Sequence, residues 1–129
     1  MKQPRNSAKA IIIENGCLLL EQCQVKLREN SFIYLFPGGG QEFGETLTNA
    51  LQRECREELG AEIEIGELAV VREYIDPHSR WGDQHQVEFY FFCKLKSAVD
   101  LSKATQPDDD QAGVVWIPLN ELGKYIRCV

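Results

Sequence analysis

The sequence predicts an α/β fold, a mixed β-sheet covered by helices in an α/β/α sandwich, with residues 1–129 forming a single domain. Three observations carry this. Short apolar runs bounded by turn residues recur along the chain. Their order is several strands, one helix, several strands, one short helix, too few helices to cover a doubly wound parallel sheet. A chain of 129 residues, 43% hydrophobic, has the size and composition of one domain with a real core.

Residues 1–7 read as a lead-in, and residues 8–14 (AKAIIIE) as a strand. Asn15-Gly16 is a hairpin turn signal, which makes residues 17–22 (CLLLEQ) the return strand. Residues 24–30 are polar and loop-like. Residues 32–36 (FIYLF) form a short aromatic strand, ended by Pro37 and three glycines. The main helix begins near Thr46, whose hydroxyl can cap the first turn, and ends at Leu59 with Gly60 just beyond. Residues 63–74 read as a long strand broken or bulged at Gly66. Residues 76–84 (DPHSRWGDQ) read as a loop or hairpin end, and residues 87–95 (VEFYFFCKL) as the most strand-like stretch. A second loop, rich in Asp, covers residues 97–110. Residues 114–117 form a last short strand, and Pro118 opens a short helix through about Tyr125. That helix is short for the cover of a sheet face, and a partner copy completing the cover is the reason to expect a homodimer.

The net charge of −6 argues against a basic groove for DNA or RNA. It leaves room for a small anionic substrate, because a bound cation inverts the local field. Five cysteines, Cys17, Cys23, Cys55, Cys93 and Cys128, form no CxxC pair, and most lie in apolar runs. They read as buried free thiols, which points to a reducing compartment. No apolar run near the start is long enough for a signal or a membrane span. The expected location is cytoplasmic.

The chemistry concentrates in residues 38–61 (GGGQEFGETLTNALQRECREELGA). A helix turns about 100° per residue, so Leu47, Ala50, Leu51, Cys55 and Leu59 share an apolar face. Glu54 and Glu58 fall inside that arc and Glu57 at its edge, while Arg53 and Arg56 point away. Like charges three and four residues apart repel, burial makes this worse, and acids near a helix C-terminus oppose its dipole. Three unfavourable terms at one place call for a compensating charge, and a hard divalent cation such as Mg²⁺ or Mn²⁺ supplies one. A solvated acidic helix end is the competing reading. The preceding glycines allow backbone that side chains would forbid, with carbonyls for a metal and amides for a phosphate.

These residues resemble the signature of the Nudix family: G, five residues, E, seven residues, then R-E-U-x-E-E-x-G-U with U apolar. Gly39 and Glu45 open it and residues 53–61 (RECREELGA) complete it, with Cys55 and Ala61 at positions where Ile, Leu or Val is more usual. The signature covers about a fifth of the chain, and residues 116–122 (WIPLNEL) are also similar to the family. The resemblance implies a Nudix-type α/β/α sandwich and a metal-dependent hydrolase of the MutT-like kind, cleaving nucleoside diphosphates linked to another group. It implies Glu54, Glu57 and Glu58 as ligands of Mg²⁺ or Mn²⁺, with the Gly38 carbonyl contributing, and Arg53 paired with Glu45 to hold the acids in place. The candidate bases are Glu57, Glu88 and Asp110. Alternation in residues 87–95 sets Glu88, Tyr90 and Phe92 on one sheet face, as an active-site wall or as a surface position.

Specificity is less legible. Arg28 and Arg72 are candidate phosphate contacts or surface cations. Trp81 stacks on a base, or packs at an interface or the sheet end. His85 touches a phosphate or structures its loop. Asp110 stands in the Asp108–Asp109–Asp110 run. The expected partner is a small nucleotide, with no stable nucleic acid and no membrane. A nucleoside triphosphate, ordinary or oxidised, is preferred. ADP-ribose or another nucleotide sugar is the alternative substrate, and a nucleotide-binding sensor domain the alternative without catalysis, although such domains typically lose glutamates that this chain keeps.

Overall fold

The computed structural model describes residues 3–24, 31–79, 82–104 and 111–125. Among these, seven strands form the sheet: β1 (Arg5–Glu14), β2 (Cys17–Gln24), β3 (Phe32–Leu35), β4 (Gly38–Gly40), β5 (Ile63–Ser79), β6 (Gly82–Leu95) and β7 (Gln111–Pro118). One α-helix, α1 (Leu47–Leu59), and two 3-10 segments, Leu101–Lys103 and Leu119–Lys124, complete the described elements.

The sheet is mixed. Its main path runs β3-β2-β1-β6-β5, with β4 added to β1 and β7 to β2. β1 runs parallel to β6, from Arg5 opposite Gln86 to Ile12 opposite Cys93, and the other pairings are antiparallel. The β1–β2 turn holds Asn15 at φ 53° and Gly16 at φ 74°, the two positive values a tight two-residue hairpin requires. β5 and β6 extend beyond the stretches their apolar residues mark. The polar residues 76–79 and 82–84 continue the ladder to Ser79 opposite Gly82, so of the two expectations for this stretch, loop or hairpin end, the hairpin end holds. The expected bulge is present, with register shifts between Ile65 and Leu68 and again before Val70.

Thr46 caps α1 by accepting the Asn49 amide, and Gly60 closes it at φ 60°, ψ 32° with its amide on the Arg56 carbonyl. The helix buries Leu51, Cys55 and Leu59 against Ala8, Ala10, Ile12 and Leu19. A second cluster of Leu18, Leu20 and Ile117 takes in Ile11, Tyr34, Phe36 and Leu122. Since β2 alternates Leu19 into the first cluster and Leu18 and Leu20 into the second, the two clusters lie on opposite sheet faces. The closing segment, expected as a helix from Pro118, is a 3-10 turn. Cys23, Cys55 and Cys93 are buried free thiols, Cys17 is half-buried, and burial raises the Cys93 thiol to about 11. No described helix is long and apolar enough to cross a membrane.

Candidate active site

A cleft of about 290 Å³ opens where β1, β4, the hairpin β5–β6 and the last two turns of α1 meet. Glu54 and Glu58 line it from the helix, Gly38 and Gly39 from β4, Arg5, Ser7 and Lys9 from β1, and Tyr74, Gln86 and Glu88 from the hairpin.

Local sequence explains how the helix acids reach it. The phase that buries Leu51 and Cys55 carries Glu58 inward as well, and Glu58 is only 7% exposed. Its Oε1 accepts the Gly38 amide at 3.0 Å. Gly38 sits at φ 133° with its α-carbon against β1, where any Cβ would run into the Ala8 carbonyl oxygen. At Gly39 a Cβ would come within 2.6–2.8 Å of the Glu54 carboxylate, so the close seat of Glu54 on β4 requires glycine. Burial raises the Glu54 carboxyl, with Arg53 opposing the rise. Burial likewise raises Glu58, to about 7, against hydrogen bonds from Glu21 and Gly38.

Arg53 is the hub of the rim. Helix phase directs it outward, but the side chain is long enough to fold back, leaving it 25% exposed. Its Nε and Nη2 donate to the two Glu45 oxygens at 2.7 and 2.9 Å, a bidentate pair. Nη2 also donates to the Gly40 carbonyl at 3.1 Å, and Nη1 to Glu54 at 3.1 Å and Glu57 at 3.3 Å. The pairing holds the Glu45 carboxyl down to about 2. Glu45 also accepts the Glu42 amide, which ties the glycine turn to the helix.

The structure therefore divides the three helix acids. Glu54 and Glu58 face the cleft, and Glu57 lies toward Arg53. Among the described residues no three His, Cys, Asp or Glu side chains are drawn together closely enough to form a metal centre as they stand. The donors nevertheless suit a hard divalent cation: two desolvated carboxylates whose acidity burial has weakened, beside a glycine backbone, are a pair that a cation would relieve.

Glu88 lies across the cleft on β6, buried, with Oε1 accepting from Arg72 at 3.3 Å and the Tyr90 hydroxyl at 3.0 Å. Arg72 also stacks over Tyr74, 4.8 Å from the ring centre, so this candidate phosphate contact is engaged by the wall itself. Tyr90 is raised to about 12 by burial and by Glu88. His85 is not brought to the cleft. It bonds Glu73 at 2.9 Å and lines a separate depression with Pro4 and Pro77. Arg28, Trp81 and Asp110 lie outside the described residues.

Sequence reasoning missed Glu21, Lys9 and the amide row on the hairpin. Glu21, 2% exposed on β2, hydrogen-bonds the Glu58 carboxyl. Its signal was an acid closing an apolar run, CLLLE. Ser7 donates to the buried Gln86 side chain at 2.9 Å, and Gln86 donates in turn to Gln84. Nothing in the local pattern singles out Ser7 or Gln86, because the contact joins strands that are adjacent only in the folded sheet.

The NUDIX domain model matches residues 3–127. The chain belongs to the NUDIX family. It is a hydrolase that acts on phosphoanhydride bonds. This NUDIX chain is similar to the nucleoside triphosphatase NudI of Salmonella typhi, 28% identical over 121 residues that span 89% of this chain and 82% of that protein. Its fold matches a MutT NUDIX hydrolase from Burkholderia pseudomallei with a TM-score of 0.74 at 25% identity, covering 92% of this chain and 86% of that one. It also matches an ADP-ribose pyrophosphatase from Streptococcus suis with a TM-score of 0.65 at 17% identity, covering 92% and 76%.

Proposed function

We propose that this NUDIX hydrolase is a nucleoside triphosphate pyrophosphohydrolase dependent on Mg²⁺ or Mn²⁺. The observation that carries the reading is the polarity of the cleft. Glu58 is held at Gly38, opposite Lys9 on β1, and the half-buried Tyr74 and the Gln86 amide lie four residues along that strand, opposite Arg5, with Gln84 beyond. A charged polyphosphate joined to a flat, hydrogen-bonding base has the same polarity. Likeness to a nucleoside triphosphatase supports the same choice over a nucleotide sugar.

Glu54, Glu57 and Glu58, with the Gly38 carbonyl, would hold the cation. When bound, it would neutralise the diphosphate and acidify a nearby water. Arg53 keeps Glu54 and Glu57 oriented through the bonds described above. Glu88 is the base we favour: Arg72 and Tyr90 both occupy Oε1, and Oε2 makes no hydrogen bond among the described residues, so it can take a proton from water. The water oxygen bonds to the α or β phosphorus, the P–O bond bridging them breaks, and its electron pair leaves on the departing pyrophosphate or nucleoside monophosphate.

The test is product release from a panel of nucleoside triphosphates, nucleotide sugars and dinucleoside polyphosphates, with Mg²⁺ or Mn²⁺. The reading expects a nucleoside monophosphate and pyrophosphate from a triphosphate, and loss of turnover in Glu57→Gln and Glu58→Gln. Faster cleavage of ADP-ribose than of any triphosphate would overturn the substrate choice. Unchanged turnover in both variants would overturn the site.

A further inference from the structure

Lys9 is a cation whose position the roles above do not explain. On β1, Ala8, Ala10 and Ile12 are fully buried in the core that packs against α1. Alternation sets Arg5, Ser7 and Lys9 on the other face, and all three line the cleft. Of the other cations at the site, Arg53 is paired with Glu45 and Arg72 with Glu88, while Arg5, the cleft's other cation, lies four residues along the strand with its guanidinium against Gly40 rather than beside the acids. Lys9 is half-buried, and its ammonium makes no hydrogen bond or ion pair among the described residues.

Its place in the ladder puts it beside the acids. Lys9 is the cross-strand partner of Gly38, whose amide holds Glu58. Its charge acts on both Glu54 and Glu58 and favours their ionised forms. A lysine serving only as their counter-ion would close to ion-pair distance, as Arg53 does with Glu45. Lys9 stays back, in a chain of net charge −6, at the end of the cleft where the acids stand.

We propose that Lys9 is the phosphate-binding cation of this cleft, balancing Glu54 and Glu58 through space in the empty site and turning its ammonium to a non-bridging phosphate oxygen of the bound substrate. This rests on the hydrolase site proposed above. The two halves of the role have opposite consequences for binding. Next to the acids, the Lys9 charge repels a divalent cation. Toward the substrate, it attracts the phosphate. A lysine that merely supports the strand would affect both in the same direction.

The experiment measures two equilibria on the full chain, neither of which needs turnover. Mn²⁺ affinity is titrated without nucleotide, and inorganic pyrophosphate affinity at saturating Mn²⁺, for wild type, Lys9→Met and Lys9→Arg. In Lys9→Met, Mn²⁺ binding should tighten by roughly threefold to tenfold, as expected for removing a like charge near a partly desolvated site. Pyrophosphate binding should weaken by about tenfold or more, the scale of one charge-assisted bond. Lys9→Arg should keep pyrophosphate affinity within about threefold, which also serves if Lys9→Met does not fold. Loss of affinity for both ligands in a folded Lys9→Met protein would make Lys9 a structural residue and overturn the proposal. Tighter Mn²⁺ with unchanged pyrophosphate would reduce it to a counter-ion, which also overturns it. If wild type binds pyrophosphate as expected but hydrolyses no triphosphate, the substrate reading fails and the role of Lys9 stands.

Discussion

Replacing Arg53 with lysine isolates geometry from charge. The guanidinium serves four acceptor groups at once: Glu45 through two parallel bonds, the Gly40 carbonyl, Glu54 and Glu57. A lysine ammonium keeps the charge, but its three donors leave one point and cannot reproduce the fork. Two or three bonds are then lost. At about 1.5 kcal/mol for each charge-assisted bond the sum is about 3–4.5 kcal/mol. The side chain is one-quarter exposed, and water recovers part of the loss, leaving about 2 kcal/mol. For a domain of this size that is a fall in Tm of roughly 8 °C. Glu54 and Glu57 lose their common support as well, and kcat/KM should fall by about a hundredfold, equivalent to about 2.7 kcal/mol in the transition state. The assay pairs thermal melts with steady-state hydrolysis in Mn²⁺. A variant that melts within a degree of wild type and turns over at its rate would refute the claim that Arg53 organises the site.

Four further predictions use other parts of the molecule. Burial raises Glu58, to about 7 from 4.5 in the unfolded chain, and it shares a hydrogen bond with the buried Glu21 carboxyl, so the pair holds a proton that unfolding releases. The metal-free protein should therefore lose stability as pH rises from about 4.5 to about 7, by at most roughly 3 kcal/mol, and added Mn²⁺ should flatten that slope in urea melts. The lowered Glu45 acts in the opposite sense, below its unfolded value of 4.5, and so does not mask this window. Gly39→Ala should push the Glu54 carboxylate off its seat, reducing Mn²⁺ affinity at least tenfold while the circular dichroism stays native. Glu88→Gln should lower kcat by about a hundredfold to a thousandfold and leave Mn²⁺ affinity within about threefold, the pattern of a lost base rather than a lost ligand. Thr46→Ala should cost about 1 kcal/mol of stability through the lost cap and leave kinetic constants unchanged, a control for effects that travel only through the fold.

Local chemistry made much of the fold legible. Thr46 and Gly60 marked the limits of α1 because caps are decided by the residues that make them, and Asn15-Gly16 marked its hairpin for the same reason. The polar residues 76–79 and 82–84 hid the outer part of β5 and β6, because their ladder bonds come from each other and not from an apolar face. Helix phase found Glu54 and Glu58, since the stripe that buries Leu51 and Cys55 carries them with it. It misdirected Arg53 because phase describes where a side chain leaves the helix and not where a long one ends. The far wall was less visible. Glu88 stood out as an acid in an aromatic run, but Arg72 beneath it, Ser7 on Gln86 and Glu21 under Glu58 are contacts between distant strands, and no local window contains both partners.

The parallel pairing of β1 with β6 has a consequence for the order in which the chain is made. Arg5 meets Gln86 about eighty residues later, and the wall of the cleft that faces the acids depends on that meeting. Closing a loop of that length costs about 4 kcal/mol before any strand contact repays it. A nascent chain that has released the glycine turn and all of α1 from the ribosome owns its acids and its caps, yet has no wall to set opposite them. The site comes into being in one late step, when the second arm of the hairpin emerges and slides in beside the first strand. Fragments that stop short of residue 95 should therefore be inert rather than weakly active.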